Sequence, residues 1–292
     1  MKEKVYSARA WYQTTVEQIS QSLSATYAIE EVRYMTLMLM EHYLQLKRND
    51  ILLDRQFQLD ANKENQLRVA IARICKEEPI QYVIGETFFY GRSFFVSPAV
   101  LIPRRETEEL VDIIVKSNTK EGLKVLDIGT GSGCIAVTLN QEMNSPYVEA
   151  LDASQEALAV AKANAGRYNA DIQWYLEDIL APNEKLQAYD LVVSNPPYVK
   201  ESEKQQMQNN VLKYEPYQAL FVEDHDPLLF YRQIANLCKE GMLKNGGRLY
   251  FEINEAHSKE LVEMLKSIGF REIEEIKDLQ QKDRFVCAMF TF

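Results

Sequence analysis

With 292 residues, 46% of them hydrophobic and 26% charged, the chain has bulk for one large domain or two moderate ones around a buried core. A formal net charge of -10 weighs against a grip on nucleic-acid backbone, which draws most of its affinity from neutralised phosphates. No apolar run approaches the roughly 20 residues that span a bilayer, and the charged start from Met1 to Tyr6 lacks the apolar core of a secretory signal.

Through about Lys76 the sequence reads helical and contains neither glycine nor proline. Val32, Met35, Leu39, Met40 and Tyr43 fall at helical spacing within 31–46, and Leu67, Ala70, Ile71 and Ile74 repeat it. The stripe Met35, Met38, Met40 is helix packing, methionine being an adaptable filler. These residues predict a helical bundle of its own over 1–79, ended by Glu78-Pro79. Residues 80–96 are rich in aromatic and β-branched types around Gly91, the pattern of a β-hairpin. A hairpin with so many aromatics must pack on something, here a joint between two domains, so 80–101 is expected as a linker. Residues 107–115 read as the first helix of a second domain spanning 102–292.

From Lys124 onward strand and helix alternate, which predicts a parallel sheet with helices on both faces. The expected strands are 124–128, 147–151, 172–175, 189–194 and 248–253. The expected helices lie near 134–141, 155–164, 227–244 and 258–268. Asp226-Pro227 resembles a helix start, a capping carboxylate followed by proline. Gly246-Gly247 turns that helix into the next strand. Residues 272–276 and 284–290 read as two closing strands.

The four cysteines (Cys75, Cys134, Cys238, Cys287) are scattered without pairing or metal spacing, which points to reduced thiols of a cytoplasmic protein and to no metal site. His42, His225 and His257 lie far apart, and no HExxH, CxxC or GxSxG pattern occurs. Zinc hydrolysis and serine or cysteine nucleophile chemistry have no support in these patterns.

Two stretches carry chemistry. The first runs from Val125 through Gly129-Thr130-Gly131-Ser132-Gly133 to Ala136: a buried strand, a glycine-rich turn and a helix. Glycines let a ligand approach the backbone closely. Asp152, at the end of the next strand, can accept hydrogen bonds from a ribose diol. A nicotinamide dinucleotide site needs glycines at relative positions 1, 3 and 6, but position 6 here is Cys134 and the third glycine arrives early at Gly133. The turn suits S-adenosylmethionine, which has a ribose and adenine but no pyrophosphate. Asp178, after the following strand, is placed to accept from the adenine amino group; a plain turn acid is the alternative.

The second stretch is Ser194-Asn195-Pro196-Pro197-Tyr198. Consecutive prolines stop a central strand, and each pushes its predecessor toward extended geometry. A carboxamide and a backbone carbonyl are thereby presented at the carboxyl end of a strand, where open α/β sheets bind ligands. By itself this is a turn ending a strand. Beside a methyl donor it implies methylation of a planar nitrogen bearing two hydrogens. The Asn195 side-chain oxygen and the Pro196 carbonyl each accept one N–H, and Tyr198 packs on the flat group.

On these residues the chain resembles the HemK/PrmC family, the peptide chain release factor N5-glutamine methyltransferases. The likeness also runs through Glu78-Pro79-Ile80-Gln81-Tyr82, Val100-Leu101-Ile102-Pro103-Arg104, Glu106-Thr107-Glu108, Tyr214-Glu215-Pro216, Gly246-Gly247, Glu252-Ile253 and Asp283-Arg284. The resemblance implies a class I S-adenosylmethionine-dependent methyltransferase fold. Its form is α/β and Rossmann-like, with a mostly parallel seven-stranded sheet, an antiparallel C-terminal strand, a small helical N-terminal substrate-docking domain and a β-hairpin linker. It implies that Gly129, Thr130, Gly131, Ser132, Gly133, Asp152, Asp178, Ile179 and Asn195 contact the cofactor, and Asn195, Pro196, Pro197 and Tyr198 the substrate. The implied acceptor is the glutamine of a Gly-Gly-Gln tripeptide in class I release factors; the products are the methylated protein and S-adenosylhomocysteine. Arg105, Ala153, Asn254, Ile179 and the acidic 222–227 depart from the family pattern without touching either stretch. A ribosomal-protein glutamine, or the amino group of adenine reached by base flipping, would suit the same core. A non-catalytic binding protein would have no need of the amide-orienting pair.

Overall fold

The computed structural model describes residues 4–183 and 188–291; residues 1–3 of the charged start, and 184–187 and 292 of the expected second domain, lie outside them. The chain divides into two units. One takes in the chain through Gly85 together with the returning segment Asn209–Tyr214, the other Glu86–Gln208 and the chain from Glu215 onward.

The first unit holds β1 (Lys4–Ser7), α1 (Ala8–Leu23), α2 (Ile29–Leu39), α3 (Arg48–Leu52), β2 (Gln56–Leu59), α4 (Ala61–Ile74) and α5 (Ile80–Ile84). Ser7 Oγ accepts from the Ala10 N–H and Asp60 Oδ1 from the Lys63 N–H, capping α1 and α4. Val16, Ile19, Val32, Met35, Leu39, Ala70, Ile71 and Ile74 form its core. Met35 and Met40 of the methionine stripe are buried. Two features depart from the sequence reading. β1 and β2 pair antiparallel in a stretch that reads as wholly helical; four-residue strands give too little alternation to register. Residues 80–84 form a helix, not a hairpin arm, because Ile80 and Val83 face the helical core. Gly85, at φ +80, ends that helix, and Arg73 donates to the Tyr82 and Val83 carbonyls while pairing with Glu78.

The second unit opens with the hairpin β3 (Glu86–Phe89) and β4 (Arg92–Phe95), then α6 (Arg105–Ser117), β5 (Lys124–Ile128), α7 (Cys134–Glu142), β6 (Tyr147–Asp152), α8 (Gln155–Tyr168), β7 (Ile172–Leu176), β8 (Tyr189–Ser194) and β9 (Val199–Lys200). After α9 (Asn209–Tyr214), which belongs to the first unit, come β10 (Phe221–Val222), α10 (Leu229–Leu237), β11 (Leu243–Glu252), α11 (Ser258–Ile268), β12 (Phe270–Lys277) and β13 (Asp283–Phe290). The hairpin buries Phe89 and Phe94 in this unit's own core. Asp226 does not cap α10 with its side chain; its carboxylate pairs with Arg232. The expected single helix 227–244 is α10 followed by a wide turn at Cys238–Met242, with Gly241 at φ +114.

Seven strands form one sheet in the order β12-β13-β11-β8-β5-β6-β7, and only β13 runs against the rest. Side chains alternate between its faces as a doubly covered sheet requires. Val125, Leu191, Val193 and Tyr250 pack with α6 and α7, whereas Leu126, Ile128, Val192, Leu249 and Phe251 pack with α10 and α11. Each such fully buried side chain contributes roughly 1.5–3 kcal/mol. Among the described residues no helix is long and apolar enough to cross a membrane.

Candidate active site

After β5 the chain lays down β6 and β7 on one side, then crosses to place β8 on the other side of β5. That reversal leaves a crevice at the carboxyl ends of β5 and β8, the usual ligand position in an open α/β sheet. Strand register aligns the residues just beyond these ends. Ile128 pairs with Leu151 of β6 and with Ser194 of β8, and Ser194 pairs with Phe251 of β11. The glycine turn, Asp152, Asn195 and Glu252 therefore leave the sheet from one row. Ser194 Oγ donates to the Ile128 carbonyl at 2.7 Å and locks the two central strand ends together.

Within the glycine turn, the Gly129 and Thr130 N–H groups both donate to the Leu151 carbonyl, Gly131 donates to Asp152 Oδ2 and Gly133 to the Thr130 carbonyl. A turn that has spent these donors has little left to cradle a pyrophosphate, whose binding needs free N–H groups. Gly131, at φ +54, has open space where a Cβ would stand. A Cβ on Gly133, at φ +78, would meet the Ala161 Cβ at 3.1 Å. Asn164 of α8, fully buried, donates to the Ser132 and Phe95 carbonyls and accepts from the Phe95 N–H, fixing the turn from behind.

The acids differ in what they do. Asp127 accepts through Oδ2 from Thr130 Oγ1 at 2.6 Å and from the Ala136 N–H at 3.2 Å. Its Oδ1, like Ser132 Oγ, is buried without a partner among the described residues, and burial pushes the carboxyl up to about 7. Asp152 accepts from Gly131 through one oxygen and from the Ser154 N–H through the other. Burial shifts it upward too, and each oxygen keeps a lone pair for a diol. Asp178, two residues beyond β7, is exposed, and its Oδ1 accepts from the Leu180 N–H as a turn acid does. Ile179 is buried in the core beside β5 and β6. An acceptor-rich cradle with an orphan buried carboxylate oxygen fits a ligand that carries hydroxyls, an ammonium and a sulfonium better than it fits a polyanion.

On the other side of the crevice, Asn195 Nδ2 donates to Thr107 Oγ1 at 3.3 Å. Thr107 Oγ1 donates to Glu252 Oε2 at 2.6 Å, and the Tyr198 hydroxyl donates to Glu252 Oε1 at 3.4 Å. Among the described residues no protein group donates to Asn195 Oδ1 or to the Pro196 carbonyl. Pro196 is buried, and Pro197 and Tyr198 are half-buried. The Tyr198 ring packs on the core of the β11 side, and burial beside Glu252 pushes its phenol upward. Glu252 is 1% exposed, and burial pushes it up to about 7 against the Thr107 hydrogen bond and the nearby Arg284 charge. Asn254 Nδ2 donates to the Tyr198 carbonyl and to Glu203 Oε2, both at 3.4 Å.

Gly129–Gly133, Asp152 and Asn195–Tyr198 stand at one end of the sheet, whereas Thr107 and Glu252 enter the sequence reading of the site only within the stretches of family likeness, Asn254 only as a departure from it, and Asn164 not at all. Glu252 carried a faint signal as a carboxylate between Phe251 and Ile253, and Thr107 one as a polar residue at helical spacing from Leu110, Val111 and Ile114. Asn164 carried a similar one among Ala157, Ala161 and Ala165.

Comparison with known proteins bears on this arrangement. Residues 106–216 match the methyltransferase small domain and residues 14–85 the PrmC N-terminal domain. The chain is 45% identical over 271 residues to the release factor glutamine methyltransferase of Bacteroides thetaiotaomicron, covering 92% of this chain and 97% of that one. It is 43% identical over 277 residues to the release factor glutamine methyltransferase of Flavobacterium psychrophilum, covering 94% and 97%. Among solved structures, a methyltransferase from Pyrococcus furiosus superposes with a TM-score of 0.52 at 17% identity, covering 80% of this chain and all of that one, a likeness of fold.

Proposed function

The chain belongs to the release factor glutamine methyltransferase family, and from that premise we propose that Asn195, Pro196 and Tyr198 carry its reaction. The protein is an S-adenosylmethionine-dependent enzyme of the class I methyltransferase fold that methylates the side-chain amide of a release-factor glutamine. The glutamine we assign is that of the Gly-Gly-Gln tripeptide of class I release factors, modified at N5.

S-adenosylmethionine, when bound, supplies an electrophilic methyl group on a sulfonium sulfur. Gly129, Thr130, Gly131, Ser132 and Gly133 would hold it, with Asp152 taking the ribose hydroxyls, Asp178 and Ile179 the adenine, and Asn195 bordering the methyl. An amide nitrogen is a weak nucleophile because its lone pair is delocalised into the carbonyl. Asn195 Oδ1 and the Pro196 carbonyl each accept one of its two N–H groups, which aims the nitrogen and stabilises the positive charge that grows on it. Orientation and preorganised electrostatics of this kind are large contributions to catalysis. The methylated nitrogen is acidic enough to lose its proton without a dedicated base. Tyr198 and Pro197 border the flat amide. The observation that carries this reading is the pair of acceptors, Asn195 Oδ1 and the Pro196 carbonyl, left without a donor among the described residues, beside a Thr107–Glu252–Tyr198 network whose hydroxyls are paired. We further assign docking of the protein substrate to the helical span 1–79 and catalysis to 102–292; the stretch 80–101 is divided between the two units at Gly85 and does not form a separate linker.

The test supplies purified protein and methyl-labelled cofactor with a class I release factor, its tripeptide Gln→Ala variant, ribosomal protein and DNA. Label is expected in the parent release factor alone. Equal labelling of the Gln→Ala variant would remove the glutamine assignment, and label in ribosomal protein or DNA would move the substrate.

A further inference from the structure

The hydrogen bonds behind Asn195 have a direction. Asn195 Nδ2 donates to Thr107 Oγ1, Thr107 Oγ1 donates to Glu252 Oε2, and the Tyr198 hydroxyl donates to Glu252 Oε1. Every proton in this relay points toward Glu252. A threonine hydroxyl has one proton; having given it to a carboxylate, it can only accept from its other neighbour. The Asn195 carboxamide must then turn its NH2 toward Thr107, which leaves Oδ1 facing outward. We infer that Thr107 and Glu252 are positioning residues that fix the direction of the Asn195 amide, so that the site presents an acceptor to the group it methylates. The inference rests on the reading of Asn195 as a catalytic acceptor.

Direction would be lost if Glu252 took up a proton, because a carboxylic acid can donate. Thr107 would then be free to donate to Asn195 Oδ1 and hold the amide reversed, setting donor against donor in front of the substrate N–H. Glu252 is faced by Glu106 and Thr107 of α6, Cys134 of α7, Tyr198, Tyr231 of α10 and Arg284 of β13. The Tyr231 hydroxyl donates to the Glu252 carbonyl at 3.1 Å and fixes the backbone there. Burial raises the carboxyl; Thr107, Arg284 and Tyr198 oppose that rise and Glu106 adds to it. The titration falls close to neutrality, within reach of a rate measurement.

The experiment measures kcat and KM for release-factor methylation from pH 5.5 to 8.5, with folding followed by circular dichroism. Wild type is expected to lose kcat by about tenfold per pH unit below the Glu252 titration, with KM nearly constant. Thr107→Val should lower kcat by about 10- to 100-fold at little change in KM, and Thr107→Ser should recover most of the rate. Glu252→Gln should be slow and lack the acidic limb. A folded Thr107→Val enzyme with the wild-type kcat, or an acidic limb that persists in Glu252→Gln, overturns the inference. Should Thr107→Val fail to fold, the Glu252→Gln profile decides alone. Asn195→Ala is run alongside: wild-type turnover in that variant would defeat the reading of Asn195 itself, whereas a slow Asn195→Ala beside a fast Thr107→Val defeats only the positioning role.

Discussion

Asp127 and Glu252 are carboxyls withdrawn from water at the same end of the sheet, and both are pushed up to about 7. A carboxyl that holds its proton more tightly folded than unfolded adds stability that is full below its unfolded pKa, near 4, and is lost as pH rises to its folded pKa, near 7. Asp127→Asn removes one such contribution. The variant should gain on wild type by roughly 2–4 kcal/mol between pH 4 and pH 8, read from urea unfolding at the two pH values. Asn195 obeys a different logic. Its loss should leave folding intact and lower kcat by about 10²–10³, as removal of one transition-state hydrogen-bond partner does, measured by single-turnover methylation of a release factor. The local chemistry of Asn195-Pro196-Pro197 is visible in its letters, since proline constrains the backbone whatever surrounds it. The part of Glu252 is not, because a glutamate following an apolar run reads as a strand end.

At the scale of elements, the glycine turn is two problems in five residues. Gly131→Ala meets only the cost of a left-handed backbone, about 1 kcal/mol, and should act on cofactor affinity more than on stability. Gly133→Ala adds a Cβ pressed on Ala161 and Trp174 of the neighbouring elements, which should cost a further 1–3 kcal/mol, roughly. Urea unfolding and calorimetric titration of S-adenosylmethionine separate the two. Elements with a full period of apolar residues were legible: β5, β8 and α11 begin and end where their sequences predict. The four-residue β1 and β2 and the five-residue α5 were not, since so short a segment fits either period and its packing decides.

At the scale of the molecule, long-range pairs hold the second unit's parts in register. Arg104 donates to Glu215 Oε1 at 2.6 Å, and the Ile102 N–H to the other oxygen at 3.2 Å, across more than a hundred residues of chain. The Glu215 side chain is 1% exposed. Arg104→Ala would strand that carboxylate in the interior and should cost about 3–5 kcal/mol, seen as a fall in the urea midpoint. Arg104→Lys, which keeps the charge but not the guanidinium fork, should cost less. The segment Asn209–Tyr214 shows the same non-local control. It belongs to the helical first unit although it lies well inside the methyltransferase sequence, where the Tyr214 hydroxyl donates to the Lys76 carbonyl at 2.7 Å.

Periodicity, turn chemistry and proline stiffness act over a few residues, so the sequence alone determined the alternating strands and helices, the glycine turn and the Asn-Pro-Pro-Tyr stop. It could also foresee that the last two meet at the carboxyl end of one sheet. Strand register and order depend on residues far apart in the chain, and only the tertiary structure decided them. The β8–β11 pairing sets Glu252 beside Asn195, α6 brings in Thr107, and α8 brings Asn164 behind the turn. The carboxamide at the strand end was thus written in the sequence, while the hydrogen bonds from Asn195 through Thr107 to Glu252 exist only once the sheet has formed.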